Sequence, residues 1–349
     1  MKKIRTITFH SVLNYGAVIQ AYSLVKYLNN IGYDAKLINY QPFYFIKQVY
    51  RPALGLIKSF LKIKKILKFN AFREKFIPQT SFYSRINSLK KINADFFICG
   101  SDQIWNRRVT NNILDKSFFL EFAKPESRIA YAASSGHFKL DSKYNDLLKN
   151  FHAIGVREES LKLNIKEINT ELNVQTVLDP CLLLDDYDEV LSTERVPIGK
   201  FILSYCVGSG DTIKNFESAL SELREHTNLP IYHIGSHKSE SSDFNLLDLS
   251  PSDWLGFFKN AYFIVTSSFH GLAMSIKFRR NFITIPHSIE MLNNRQNTLL
   301  KNLKLFHRAL NDSKQLRAIY FEEINYKSVQ GPLDLMLKDS KQFLKDSIV

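Results

Sequence analysis

The chain has 349 residues, about twice a usual domain, with 45% hydrophobic and 23% charged side chains, 13 Gly and 10 Pro, a composition that excludes disordered and collagenous classes. Its net charge is +13, but the twelve Lys or Arg between Pro42 and Lys91, set against the single acid Glu74, supply +11 of it. With no helix-turn-helix, zinc-finger or ribonucleoprotein pattern beside it, this basic block is a local device and no nucleic-acid partner is expected.

The first forty residues read strand, loop, helix, strand: KIRTITF, HSVLNYGA, VIQAYSLVKYLNNIG with Gly32 as its stop, then YDAKLINY. The basic block follows as a helical insertion over about 42–91. On a helical wheel of 54–69, Lys58, Lys62, Lys65 and Lys68 fall on one side and Leu56, Ile57, Phe60, Ile63 and Leu67 on the other. Later apolar runs, ADFFICGSD, RIAYAASSG, AIGVREE and TVLDPCLLL, read as buried parallel strands with polar carboxyl ends, where open α/β sheets bind ligands. Residues 193–199 read as a linker. FILSYCVGS, DTIKNFESALSELREHT, LPIYHIGS, SPSDWLGFFKNA with a Ser or Asp cap, YFIVTSSFHG and NFITIPH then repeat the alternation. The expected fold class is α/β, two Rossmann-like domains facing across a cleft (GT-B-like), at 1–192 and 199–349, the second carrying the C-terminal helices.

Neither Thr6–Val25, broken by polar residues, nor Asn260–Ile276, with hydroxyls and His270 at its centre, makes a signal peptide or a membrane span. The three cysteines, Cys99, Cys181 and Cys206, each in an apolar run, read as buried thiols of a reducing compartment. A cytoplasmic protein is expected.

The sharpest motif is TSSFHGLAMSI, Thr266 to Ile276. A strand ends in small hydroxyl residues, His270 follows, Gly271 allows close backbone approach, and a helix begins whose free amides face the same point. In GSDQIW, Asp102 is either a helix cap or a functional acid. Ser134 and Ser135 form a turn or offer hydroxyls and amides to an anion. Arg157 is either an ion-pair partner for Glu158 and Glu159 or an anion clamp. Gly208-Ser-Gly210 lacks the third Gly of a dinucleotide fingerprint. His233 and His237 sit at a strand end, not on a helix, and Glu159 and Glu167 match a transferase spacing by chance. No CxxC occurs, and neither metal nor cofactor is expected.

Taken in order, TFHSVLNYGAVIQAYSL, INYQP, DFFICGSDQIWN, YAASSG, VREESL, VLDPCLLL, VTSSFHGLAMSI and NRQNTLLKNL resemble the polysaccharide pyruvyl transferase family from about Ile4 to Arg308. The resemblance implies transfer of a pyruvyl group from phosphoenolpyruvate to two hydroxyls of a sugar, giving a cyclic ketal in a capsule, exopolysaccharide or wall polymer. The acceptor would be a sugar, a nucleotide sugar or a lipid-linked glycan. Family members resemble Arg-Leu-His-Gly where this chain has Ser268-Phe269-His270-Gly271, so Arg157 or Arg295 must supply the missing charge, or the donor differs.

Imidazole titrates near neutral pH, which makes His270 the candidate acid or base, with Asp102 for acceptor orientation or as base. Arg157, Arg295, Ser134, Ser135, Ser268 and Gly271 are expected at the donor, and Asn14, Tyr15, Gly16, Gln103 and Trp105 at the acceptor. Asp179, before Pro180, reads as a turn residue. A nucleotide-sugar glycosyltransferase of the same fold and a noncatalytic glycan-binding protein are the alternatives. For the 54–69 helix, the plain expectation is an apolar face packed on the first domain. The functional one is peripheral contact with an anionic membrane at its inner face, through Lys58, Lys62, Lys65 and Lys68.

Overall fold

The structure, a computed structural model, describes residues 1–51, 55–235, 237–310 and 315–349. Leu54, where the helical reading of the basic block starts, and Ser236, the last residue of LPIYHIGS, lie outside the described residues.

In chain order the first series is β1 (Lys3–Ile7), α1 (Tyr15–Asn30), β2 (Asp34–Tyr40), α2 (Phe43–Tyr50), α3 (Leu56–Phe76), β3 (Gln79–Tyr83), α4 (Ile86–Leu89), β4 (Phe96–Cys99), β5 (Arg128–Ala133), α5 (Asn145–Leu148), β6 (Ala153–Val156), α6 (Glu159–Ile168) and β7 (Val174–Thr176). The second is β8 (Ile202–Cys206), α7 (Asp211–Arg224), β9 (Ile231–Gly235), β10 (Phe244–Asn245), α8 (Pro251–Asn260), β11 (Phe263–Thr266), α9 (Phe269–Lys277), β12 (Asn281–Thr284), α10 (Asn294–Asn302), α11 (Leu316–Phe321) and α12 (Tyr326–Ser347).

Seven parallel strands in the order β3-β2-β1-β4-β5-β6-β7 make one sheet, and five in the order β10-β9-β8-β11-β12 make the other. Both begin with the doubly wound order 3-2-1-4-5. Central strands such as RIAYAA, ILSYC and FIVT are buried along their whole length, as parallel strands covered on both faces must be. The edge strands β3 and β10 carry polar, half-exposed residues, so they were read into the insertion and a loop. α7 lays Phe216, Ala219, Leu220 and Leu223 on the second sheet, one helical stripe. α8 opens with a capping box between Ser250 and Asp253, as its Ser-Pro-Ser-Asp start suggested. All three cysteines are buried thiols, with no disulfide among the described residues.

The chain divides into two compact units, residues 1–59 with 69–185 and 335–349, and residues 60–68 with 186–334. The expected second domain therefore loses the end of α12. From Leu335 onward the helix packs in the first unit, where Phe343 lies 6.1 Å from Tyr131 and Ser340 Oγ accepts from the Leu178 amide at 2.9 Å.

α3 is amphipathic in the expected register but inverted. Leu56, Ile57, Phe60, Ile63 and Leu67 point to solvent, 55% to 91% exposed. The plain expectation that this face is packed is therefore corrected. What α3 buries is Ile66, Phe69, Phe72 and Arg73, with Phe69 against Tyr15 at 5.0 Å and Arg73 Nη1 donating to the His10 carbonyl at 3.0 Å. Three lysines of the other face are partly buried or paired. Lys62 is half-buried, burial pushes Lys65 down to about 8, and Lys68 pairs with Asp248 at 3.3 Å.

Two imidazoles fold into the interior. Burial first, then the Arg73 charge, holds His10 down at about 4, and burial, then His237, does the same for His233. Both folded values lie below the unfolded one, so the unfolded state takes up protons first as pH falls. Stability should thus be flat above pH ~6.5 and decline toward pH ~4, by about 1.4 kcal/mol per unit for each histidine. Melting His10→Gln at pH 7.5 and pH 5 should show a smaller loss than the parent; an unchanged loss would mean that His10 titrates alike in both states.

Candidate active site

In the first unit the loops after β4 and β7 converge on one buried guanidinium at the end of β6. Arg157 Nη1 donates to Asp179 Oδ2 at 2.8 Å and to Ser101 Oγ at 3.3 Å, and Nη2 lies 3.8 Å from Asp102 Oδ1. Burial alone would lower its pKa; Asp179, then Asp102 and Glu158, raise it above the ordinary arginine value. Ser101 Oγ donates to Asp179 Oδ2 at 2.8 Å, and its amide donates to Gln20 Oε1 at 3.0 Å. Gln20 Nε2 donates to Thr8 Oγ1, which donates to the Ser101 carbonyl at 2.7 Å, closing the switch point between β1 and β4. Gly100 stands at φ +113° where a Cβ would collide with the Tyr131 carbonyl, which explains the glycine of GSDQIW.

Arg157 is therefore an ion-pair residue, with Asp179 and Asp102 in place of Glu159 as its partners. Asp179 does fix a turn, accepting from the Cys181 amide at 3.0 Å, and neutralises Arg157 with its other oxygen. Asp102, in the left-handed region at φ 72°, accepts from the Gln103 amide at 2.8 Å. The serine turn already holds an anion of its own. Glu158 Oε1 accepts from Ser134 Oγ at 2.8 Å and from the Ser135 amide at 3.2 Å.

Of the five expected acceptor residues, Trp105 is contradicted most plainly. Its ring stacks on Phe119 at 5.2 Å and its Nε1 donates to the Phe118 carbonyl, so it is a buried packing residue. Tyr15 and Gly16 are buried in the first turn of α1, with Tyr15 against Phe69. Gln103 is half-buried and accepts from Asn106 Nδ2 at 2.8 Å. Asn14 is exposed and caps α1 through Ala17 N at 3.2 Å.

In the second unit the switch point lies between β8 and β11. Ser267 Oγ bridges it, accepting from Val207 N at 2.8 Å and donating to Val207 O at 3.0 Å. Thr266 Oγ1 donates to the Tyr205 carbonyl at 2.9 Å and accepts from the Ser268 amide at 3.1 Å. Ser268 Oγ caps α9 by accepting from Gly271 N at 3.4 Å, so the residue that departs from the family Arg starts the helix. A Cβ at Gly271 would collide with Thr266 Oγ1; the close approach it permits is that of helix to strand.

His270 sits in the first turn of α9, buried. Arg295, in the first turn of α10, places Cζ 5.8 Å from the Phe269 ring centroid. Burial, then the Arg295 charge, lowers the pKa of His287. Gln296 Nε2 donates to the Ser267 carbonyl at 2.7 Å, tying α10 to the same turn. Sequence reasoning overlooked Gln296, Ser267 and His287. Gln296 stands beside Arg295 in NRQNTLLKNL, where a polar residue buried among helical leucines was the available signal. The His233 and His237 rings lie 4.8 Å apart, their partners being Ser204 and Glu217.

The sequence profile of polysaccharide pyruvyl transferases matches residues 14–289. The chain belongs to the polysaccharide pyruvyl transferase family. No curated protein matches the sequence. Among solved structures, a UDP-N-acetylglucosamine 2-epimerase from Rickettsia bellii is similar over 100% of this chain and 97% of its own, with TM-score 0.50 at 13% identity. The E. coli heptosyltransferase WaaC with ADP is similar over 84% of this chain and 90% of its own, with TM-score 0.43 at 12% identity. The likeness to the epimerase is one of fold, two parallel α/β units of the GT-B-like class. The pyruvyl transferase profile covers Asp102, Arg157 and the Ser268–Gly271 turn, whereas Arg295 lies beyond its end.

In this pyruvyl transferase family member, Arg157→Ala would leave Asp179 buried without its cation, at a cost of about 3 to 5 kcal/mol. Urea unfolding should show that loss, and adding Asp179→Asn to Arg157→Ala should recover part of it. A stable Arg157→Ala protein with weakened donor binding would instead restore the anion-clamp expectation.

Proposed function

We propose that the protein transfers a pyruvyl group from phosphoenolpyruvate to a sugar, forming a cyclic ketal, with the donor held at the first turns of α9 and α10. The observation that supports this is Arg295 in the first turn of α10, its Cζ 5.8 Å from the ring of Phe269, the neighbour of His270 in the first turn of α9. Membership of the family supports a transferase reading.

The donor carries a carboxylate and a phosphate, and needs a cation and helix amides. In the first unit the arginine and the serine turn are already occupied by Asp179, Asp102 and Glu158. Arg295 and the amino end of α9 are the better match, and Arg295 takes the place of the Arg that Ser268 replaces. His270 delivers a proton to the methylene carbon of phosphoenolpyruvate, leaving an oxocarbenium-like centre at C2. A sugar hydroxyl adds its oxygen there and gives up its proton to a base, for which the neutral form of His270 serves. The C2–O bond to phosphate then breaks, a second hydroxyl of the same sugar forms the other C–O bond, and its proton leaves with inorganic phosphate. One donor and one diol give one ketal and one phosphate.

Neither metal nor cofactor enters this scheme, so chelation should leave the rate unchanged. Incubation with phosphoenolpyruvate and candidate glycan precursors should add about 70 Da, one pyruvic acid less one water, through covalent group transfer. Nucleotide release from a nucleotide sugar in its place would favour glycosyl transfer. His270→Ala should lower turnover roughly 100-fold or more with the fold kept. Arg295→Ala should raise the KM for phosphoenolpyruvate roughly 10-fold or more, and leave that for the acceptor alone. Near-normal turnover in the first variant, or equal changes in both KM values in the second, would overturn these roles.

A further inference from the structure

The inverted helix α3 exposes what a water-facing helix normally hides. Leu56, Phe60, Ile63 and Leu67, spaced four, three and four residues apart, form one stripe, widened by Ile57, and every one of them is more than half exposed. Five large apolar side chains on one side of one helix are a patch and not the scattered exposure of an ordinary surface.

Lys64 is exposed beside the stripe, its Nζ 5.1 Å from the centre of the Phe60 ring, while Lys58, also exposed, lies on the opposite side of the helix. The preceding helix α2 repeats the chemistry, with Phe43 and Tyr50 exposed and Lys47 in its last turn. Across all of α3 the only acid is Glu74, in its last turn. The ammonium groups on the opposite side, Lys62 and Lys65, are drawn toward the protein, and Lys68 is held by Asp248.

We propose that α3 docks on an anionic lipid surface, its apolar stripe entering the boundary between headgroups and acyl chains while Lys64 meets the phosphates. Charge decides between this occupant and a second copy of the chain. A copy pairing stripe to stripe would bring lysines against lysines with no Glu to answer them, which repels, whereas a lipid surface supplies many negative charges at once. An apolar face flanked by lysines and aromatics is the composition of helices that lie in that boundary plane. No described helix is long and apolar enough to cross the membrane, so the contact is peripheral. It also differs from what the sequence alone suggested: the anchoring groups are the apolar residues with Lys64, and Lys58, Lys62, Lys65 and Lys68 lie away from the stripe.

Sedimentation of the full-length protein with vesicles tests this without donor or sugar, so it stands or falls apart from the proposed reaction. Vesicles of phosphatidylcholine and phosphatidylglycerol, roughly 2:1, should carry the protein down, and phosphatidylcholine alone should not. Ile63→Glu with Leu67→Glu should weaken that binding roughly 100-fold, and Lys64→Glu roughly 5-fold or more. Because all three positions are solvent-exposed, circular dichroism and melting should match the parent. The proposal is overturned if the parent stays in the supernatant, if it binds neutral vesicles equally, or if the Ile63, Leu67 variant sediments as before. It is likewise overturned if ultracentrifugation shows a dimer that the same variant dissolves while vesicle binding is absent.

Discussion

A guanidinium closed off from water must find its counter-charge inside the protein, and Arg157 finds it in Asp179, with Asp102 at longer range. That single requirement organises the carboxyl end of the seven-stranded sheet. Asp179 belongs to the segment after β7, Ser101 and Asp102 to the loop after β4, and Arg157 to the end of β6, so satisfying one charge fixes three loops. The hydrogen bonds from Ser101 to Gln20 and from Thr8 to Ser101 extend the same constraint to α1 and β1. Any ligand that took Arg157 from Asp179 would leave a carboxylate buried and unpaired, which is why the charge here is structural before it is anything else.

The five-stranded sheet meets the same topological demand with neutral groups. Where the first unit closes its switch point with an ion pair, the second uses the Ser267 hydroxyl between β8 and β11, Thr266 on Tyr205, and the Ser268 cap. Hydroxyls and amides tie this switch point without an ion pair between its strand ends. The two halves share a strand order and differ in what their strand ends are made of.

Much of this was legible in the sequence. Fully buried strands announce themselves as apolar runs, and the helix expected after the hydroxyl-rich strand end is α9. What escaped was anything set by partners far along the chain. Arg157 lies 22 residues from Asp179 and Ser101 lies 78 from it, so local spacing offered Glu158 and Glu159 as partners when a distant aspartate held the place. Trp105 and Tyr15 look like sugar-stacking residues in a loop motif; each is drawn inward by aromatic neighbours, Phe119 and Phe69, that no local pattern connects to them. Edge strands β3 and β10 lack the apolar signal because their residues stay half-exposed or exposed.

The inversion of α3 has the same origin and goes a step further. Periodicity divides a helix into two faces but does not say which one meets the protein, because a lysine stem is itself several methylenes of apolar surface whose head can reach water or an acid at the edge. In α3 the inward face is assembled from Ile66, Phe69, Phe72 and Arg73 together with those stems, and the outward face keeps five large apolar side chains. Water alone disfavours that choice, each large side chain left exposed forgoing about 1.5 to 3 kcal/mol of burial. Local packing of Phe69 and Phe72 and the Lys68 pair with Asp248 set the helix orientation. The cost left on the outer face is the physical reason to look for a second, less polar environment in which that face is not a cost at all.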